Sequence, residues 1–172
     1  MIWSYKNAVL SVLNTMKKLN QTHVEIQIPA TVSIVNFIEK IHPTPIIAKL
    51  SDVVGLTILS IITYHNKSQD KELDETKFNA QIRLYIPKDE VARRGCKLLR
   101  RMAIVAVQEY ITRLLYSELE KEVAVKTIRY MGKKRYTITE AIEQFQEEYG
   151  LCEEEFNYLR LQQHLVRKKR KV

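Results

Sequence analysis

The sequence predicts a predominantly helical α+β protein, and three observations carry that prediction. Apolar residues recur at three-to-four spacing over most of the chain. Only a few short stretches alternate with the period of a strand. Glycine and proline are scarce, at four each among 172 residues, which disfavours a turn-rich all-β protein and a doubly wound enzyme whose phosphate loops consume glycines.

In chain order, Ala8, Val9, Val12, Leu13 and Met16 place an amphipathic helix over residues 2–19. Residues 23–28 alternate polar and apolar (Val24, Ile26, Ile28) and suit a half-buried strand ending at Pro29. Thr31 is placed to cap a second helix carrying Ile34, Val35, Ile38 and Ile41, which His42-Pro43-Thr44-Pro45 must break. Residues 46–64 read as two helices meeting near Gly55, followed by a polar loop over 65–77. Phe78, Ala80, Ile82, Leu84 and Ile86 give a second strand, stopped by Pro87.

Residues 88–121 form the longest helical pattern. Its middle, 102–116, is apolar almost all round and predicts a central buried helix. Residues 127–138 suggest a basic β-hairpin turning at Met131-Gly132-Lys133, and two helices separated by Gly150 close the chain. The expected organisation is an N-terminal, mostly helical half (1–65), a polar linker (66–77), a strand, long helix and basic hairpin (78–136), and a C-terminal helix-turn-helix-like hairpin with a basic tail (137–172).

With 45% apolar and 28% charged residues, the chain can bury a core without staples. Cys96 and Cys152 lie far apart and read as small buried apolar residues rather than a disulfide framework. The N-terminal apolar residues are broken by Lys6, Asn7 and Ser11, so no signal peptide is expected. The longest apolar run, 53–62, falls short of the roughly 18 residues a membrane span needs. A cytoplasmic protein that avoids membranes is the expectation.

Signatures of catalysis are missing. No glycine-rich phosphate loop with its lysine is present, no serine or cysteine sits in a nucleophile turn, and His23, His42, His65 and His164 never pair at metal-ligand spacing. Neither an enzyme nor a cofactor or metal requirement is expected.

Charge carries the functional signal. The net charge is +8, the isoelectric point about 9.4, and the distribution is uneven. Arg93, Lys97, Arg100 and Arg101 fall at steps of three and four and predict a basic stripe on the long helix. Arg129, Lys133, Lys134 and Arg135 crowd the hairpin beside Tyr130 and Tyr136. The chain ends in Arg167, Lys168, Lys169, Arg170 and Lys171. Cations on phosphates with aromatics supporting bases is the chemistry of a nucleic-acid surface. Solvated faces and a solubilising tail are the plainer alternative.

The C-terminal helix pair is the most specific local feature. Thr137-Ile138-Thr139-Glu140 matches a capping box, Ala141, Ile142, Phe145 and Tyr149 form one face, Gly150 supplies a left-handed turn, and Phe156 and Leu159 anchor the next helix. That is the spacing of a helix-turn-helix, with Gln146 where a small residue is usual. Its expected reading end carries Glu153, Glu154 and Glu155, which phosphates repel. Contact with DNA would therefore run through Arg160, His164 and the tail. Residues 50–64 show the same spacing more weakly and read better as core.

Two functions follow as expectations. One is a non-enzymatic nucleic-acid-binding protein, such as a DNA-binding regulator or nucleoprotein component, with DNA preferred to RNA. The other is a homo-oligomer or subunit of a large assembly, such as a phage head–tail connector ring within a virion. In that case Glu147, Glu148, Glu153, Glu154 and Glu155 dock onto a neighbour's basic surface.

Overall fold

A computed structural model describes residues 21–42, 45–49, 51–65, 78–94, 99–127 and 136–169. The described chain is a predominantly helical α+β fold with six helices and a three-stranded sheet. The described residues within Met1–Ile28, Pro45–Leu73 and Ile82–Ile104 form one unit. Those within Pro29–Thr44, Asp74–Gln81 and Val105–Val172 form a second. The expected helix over 2–19 and the expected linker over 66–77 lie outside the described residues.

The first unit holds the sheet, in the order β1-β3-β2, where β1 is His23–Ala30, β2 is Ile46–Ile47 and β3 is Ala80–Pro87. Ile26 and Ile28 on β1, with Ile82, Leu84 and Ile86 on β3, supply the buried face, as alternation requires. β1 runs one residue past its expected end at Pro29, to Ala30. β2 pairs with β3 in parallel, Ile46 opposite Leu84 and Ile47 opposite Tyr85. Residues 46–47 are therefore strand, where the periodicity had suggested helix.

A single helix, α2 (Val53–His65), replaces the two expected to meet at Gly55. Asp52 starts it. Its carbonyl accepts the Leu56 N–H at 2.9 Å, and its buried carboxylate accepts the Gly55 N–H at 2.8 Å and the Ile47 N–H at 2.9 Å. One side chain thus caps the helix and ties it to β2. A Cβ on Gly55 would lie 2.4 Å from the Ile47 carbonyl oxygen, so the glycine serves close approach and not a helix break. Ile58, Leu59 and Ile62 are fully buried. Thr57, Ser60 and Thr63 donate their hydroxyls to the carbonyls four residues back, which satisfies polar groups along an apolar helix.

The expected helix over 88–121 is divided. α3 spans Lys88–Arg94, residues 95–98 lie outside the described residues, and α4 (Arg101–Thr127) begins after Leu99 and Arg100, which are not helical. Nor is α4 buried all round. Within the second unit Val107, Ile111, Leu115, Leu119 and Val123, every fourth residue, make one buried row, while Met102 and Val105 are exposed. The row is the amphipathic stripe of a helix with one side in solvent.

The second unit is helical. α1 (Val32–Ile41) opens at Thr31, whose backbone is extended as a cap requires, but whose buried hydroxyl makes no capping bond and has no partner among the described residues. Its core residues are Ser33, Ile34, Phe37 and Ile38; Ile41, expected on that face, is exposed. α5 (Ile138–Tyr149) starts on the expected capping box: Thr137 Oγ1 accepts from the Glu140 N–H, and the Glu140 carboxylate accepts from the Thr137 N–H at 2.8 Å. Gly150 ends it at φ 58° in the left-handed region. The rings of Phe37 and Phe145 lie 5.4 Å and 4.5 Å from that of Tyr149.

The last helix, α6 (Tyr158–Lys169), begins five residues later than a start at Glu153 implies. Asn157 caps it, its side chain accepting the Arg160 N–H at 2.9 Å. Phe156 anchors the connection as expected. Leu159 does not, being 63% exposed, and the buried anchor is Leu161.

Candidate functional site

The C-terminal helix pair departs from a helix-turn-helix in the piece that matters. Such a unit joins its helices by three or four residues; here residues 150–157 intervene. Glu153, Glu154 and Glu155 lie in that connection, held by the Glu155 and Phe156 N–H groups on the Cys152 carbonyl. They occupy no helix N-terminus and no reading position. α1 fixes the connection instead: Asn36 donates to the Gly150 carbonyl at 2.9 Å, and the buried Ser33 hydroxyl accepts the Cys152 N–H at 2.8 Å.

Of the basic residues singled out in the sequence, those described do not share one stripe. Arg93 lies at the end of α3 and pairs with Glu90, which also takes Arg94 at 2.7 Å. Those two arginines hold the Glu90 carboxyl below its ordinary range. Arg100 is half-buried ahead of α4, and Arg101 is exposed at its first residue. Lys97, Arg129, Tyr130, Lys133, Lys134, Arg135, Arg170 and Lys171 lie outside the described residues, and Lys168 and Lys169 end α6.

The basic segment is bracketed all the same. The Tyr136 N–H donates to the Lys126 carbonyl at 3.2 Å, which brings together the two ends of residues 127–135. α4 runs to Thr127 and α5 begins at Ile138, so any hairpin is confined to residues 128–137, of which 128–135 lie outside the described residues.

On α6, Arg160 is exposed and directed by its own connection: its guanidinium lies 5.5 Å from the Phe156 ring centroid and donates to the Glu155 carbonyl at 2.8 Å. His164 stacks on Tyr116 at 4.2 Å, and its Nε2 lies 2.7 Å from Glu120 Oε1, so it fastens α6 to α4. Arg167 is exposed. Beside Arg160 an open groove of about 490 Å³ is lined by Phe78, Val105, Thr112, Arg113 and Tyr116. Nothing in the linear sequence marked it, because its walls come from segments far apart in the chain.

A carboxylate hub also went unseen. Glu122 accepts the Tyr149 hydroxyl at 2.7 Å and pairs with Lys126 at 2.8 Å, which in turn reaches Glu148 at 3.6 Å. Burial first, and then the bond to Glu122, push the Tyr149 hydroxyl well above its ordinary pKa. Desolvation pulls Lys126 down, but Glu122 and Glu148 together leave it above its ordinary value. The i,i+4 spacing of Glu122 and Lys126 was visible; the tyrosine was not. Glu148, expected to meet a partner molecule, is engaged within the chain.

Cations concentrate along the sequence: Arg129–Arg135 holds four and Arg167–Lys171 five of the 28 Lys and Arg, with no acid in either block.

Cys152 is a free, half-buried cysteine rather than a fully buried one, and Cys96 lies outside the described residues. Among the described residues no group of three or more His, Cys, Asp or Glu is placed to hold a metal ion, and no helix is long and apolar enough to cross a membrane. No protein-family model matches the chain, and no curated protein or solved structure matches it significantly.

Proposed function

We propose that the protein binds nucleic acid, DNA in preference to RNA, through the phosphate backbone and without catalysing a reaction. The concentration of charge in the sequence carries this reading. Arg93 and Arg94 are engaged by Glu90 and Lys126 by Glu122, whereas nine Lys and Arg crowd two acid-free blocks, Arg129–Arg135 and Arg167–Lys171, the first closed at its base by the Tyr136–Lys126 bond. Concentrated cations displace condensed counterions from a polyanion, and that release drives association. Lys133, Lys134, Arg135 and the tail are the phosphate contacts, with Tyr130 and Tyr136 as platforms.

A salt titration of the full chain against labelled duplex DNA, single-stranded DNA and RNA tests it. Affinity should fall linearly on logarithmic axes as salt rises. Replacing Lys133, Lys134 and Arg135 with Ala should reduce the duplex slope by about 0.9 per lost contact, close to 3 in all. No binding at low salt, or an unchanged slope, would overturn the reading.

A further inference from the structure

The strongest unassigned feature is the outward face of α6, together with its electrostatic complement in the same chain. Residues 137–157 contain seven glutamates and no Lys or Arg, whereas α6 contains Arg160, Arg167, Lys168 and Lys169 and no acid. Glu140 closes the capping box and Glu148 meets Lys126. Glu143, Glu147, Glu153 and Glu154 are exposed and have no partner among the described residues. Thr139, Glu143 and Glu147 recur at four-residue spacing and so share the face of α5 opposite its buried Ala141, Ile142 and Phe145.

On α6 the outward stripe is Leu159, Gln163, Val166 and Arg167 at helical spacing. Leu159 is 63% and Val166 46% exposed. Phosphates gain nothing from a leucine and a valine, but a protein face does. An exposed row of glutamates repels nucleic acid and calls for a cationic partner. One chain carries both halves.

We propose that the outward face of α6 docks on the acidic face of α5 in a second copy of this chain. Leu159 and Val166 form the apolar centre of the contact, and Arg167 meets Glu143 and Glu147. Each copy offers both faces, so two copies can engage reciprocally and close a dimer. The contact uses none of residues 128–135 but shares Arg167 with the tail assigned above to phosphates, so mass and DNA affinity are read on the same variants.

The test is the mass of the full chain by light scattering and sedimentation, at low salt and at about 1 M salt, where screening shortens the reach of charge to roughly 3 Å. Wild type should associate at low salt and dissociate at high salt, and Leu159→Glu should weaken association about tenfold or more. The charge reversals Glu143→Lys with Glu147→Lys, and Gln163→Glu with Arg167→Glu, should each leave a monomer. An equimolar mixture of these two double variants should recover the wild-type mass, since every contact is again between opposite charges; that recovery also shows that both variants are folded. A wild type that stays monomeric at low salt, variants that associate unchanged, or a mixture no heavier than its components would each overturn the proposal. So would Gln163→Glu with Arg167→Glu lowering affinity for single-stranded DNA while the mass stays that of wild type, which would give the face to nucleic acid.

Discussion

Each unit contains a buried tyrosine that donates its hydroxyl to a glutamate on a neighbouring element, and the two pairs differ in what surrounds them. In the sheet, Tyr85 on β3 donates to Glu25 on β1 at 3.0 Å, with Arg83 at 3.9 Å from the same carboxylate. Among the helices, Tyr149 on α5 donates to Glu122 on α4 at 2.7 Å. Burial first, and then the glutamate, raise both hydroxyl pKa values. Arg83 pulls Tyr85 back down, whereas Glu118 and Glu148 push Tyr149 further up. The donor and acceptor are alike. Neighbouring charge decides how tightly each proton is held.

Removing the rings is the most severe way to break the comparison. Tyr149→Ala opens a cavity against Phe37 and Phe145, and Tyr85→Ala removes a side chain that is 2% exposed. Each should cost about 3–5 kcal/mol in urea denaturation, the range for large aromatic truncations. A cost below about 1 kcal/mol would show that the ring in question is not packed as described.

Deleting only the hydroxyls isolates the polar difference. Tyr149→Phe and Tyr85→Phe should each cost about 1.5–3 kcal/mol, the range for bonds to a charged partner. Tyr149→Phe should cost the more, because Glu25 is the more exposed acceptor, 27% against 19%.

Alkaline pH separates the pair further. A folded-state pKa above the ordinary 10.0 means that the folded chain holds the proton more tightly than the unfolded one. The stabilisation is complete below that value and is lost as pH rises through the folded pKa. Lys126, raised above 10.5, acts in the same direction. Stability should therefore fall on the alkaline side, and Tyr149→Phe should flatten that limb more than Tyr85→Phe. Equal flattening would remove the contrast.

The smallest expected effect sharpens it. Arg83 is 62% exposed, so Arg83→Ala should cost no more than about 1 kcal/mol. It should nonetheless move Tyr85 ionisation to higher pH in a tyrosine absorbance titration, towards the behaviour of Tyr149. A shift to lower pH would contradict the assigned role of Arg83.

The sequence was most legible where one residue acts on its own backbone. The Thr137–Glu140 box and the Gly150 turn need no distant partner, and the two long strands show in the sequence by alternation. It misled where two local signals competed. Glu153-Glu154-Glu155 suits a helix start, yet Asn157 supplies the stronger cap and α6 begins beyond it. It was silent where segments meet in space: Gly55 looked like a hinge until the Ile47 carbonyl was found against it. For the candidate site, the charge blocks were plain in the sequence. Which charges are already committed was not, since Tyr149 and Glu122 are 27 residues apart.

The bonds from α1 to the connection before α6 have a temporal consequence. Ser33 and Asn36 reach backbone groups 119 and 114 residues downstream. During synthesis from the N-terminus, α1 leaves the ribosome long before Cys152 and Gly150 are made, and must wait with its apolar face uncovered. Such non-local closure slows folding and lengthens the exposure of sticky surface. A ribosome stalled before residue 150 would therefore hold a nascent chain whose helical half has no way to close.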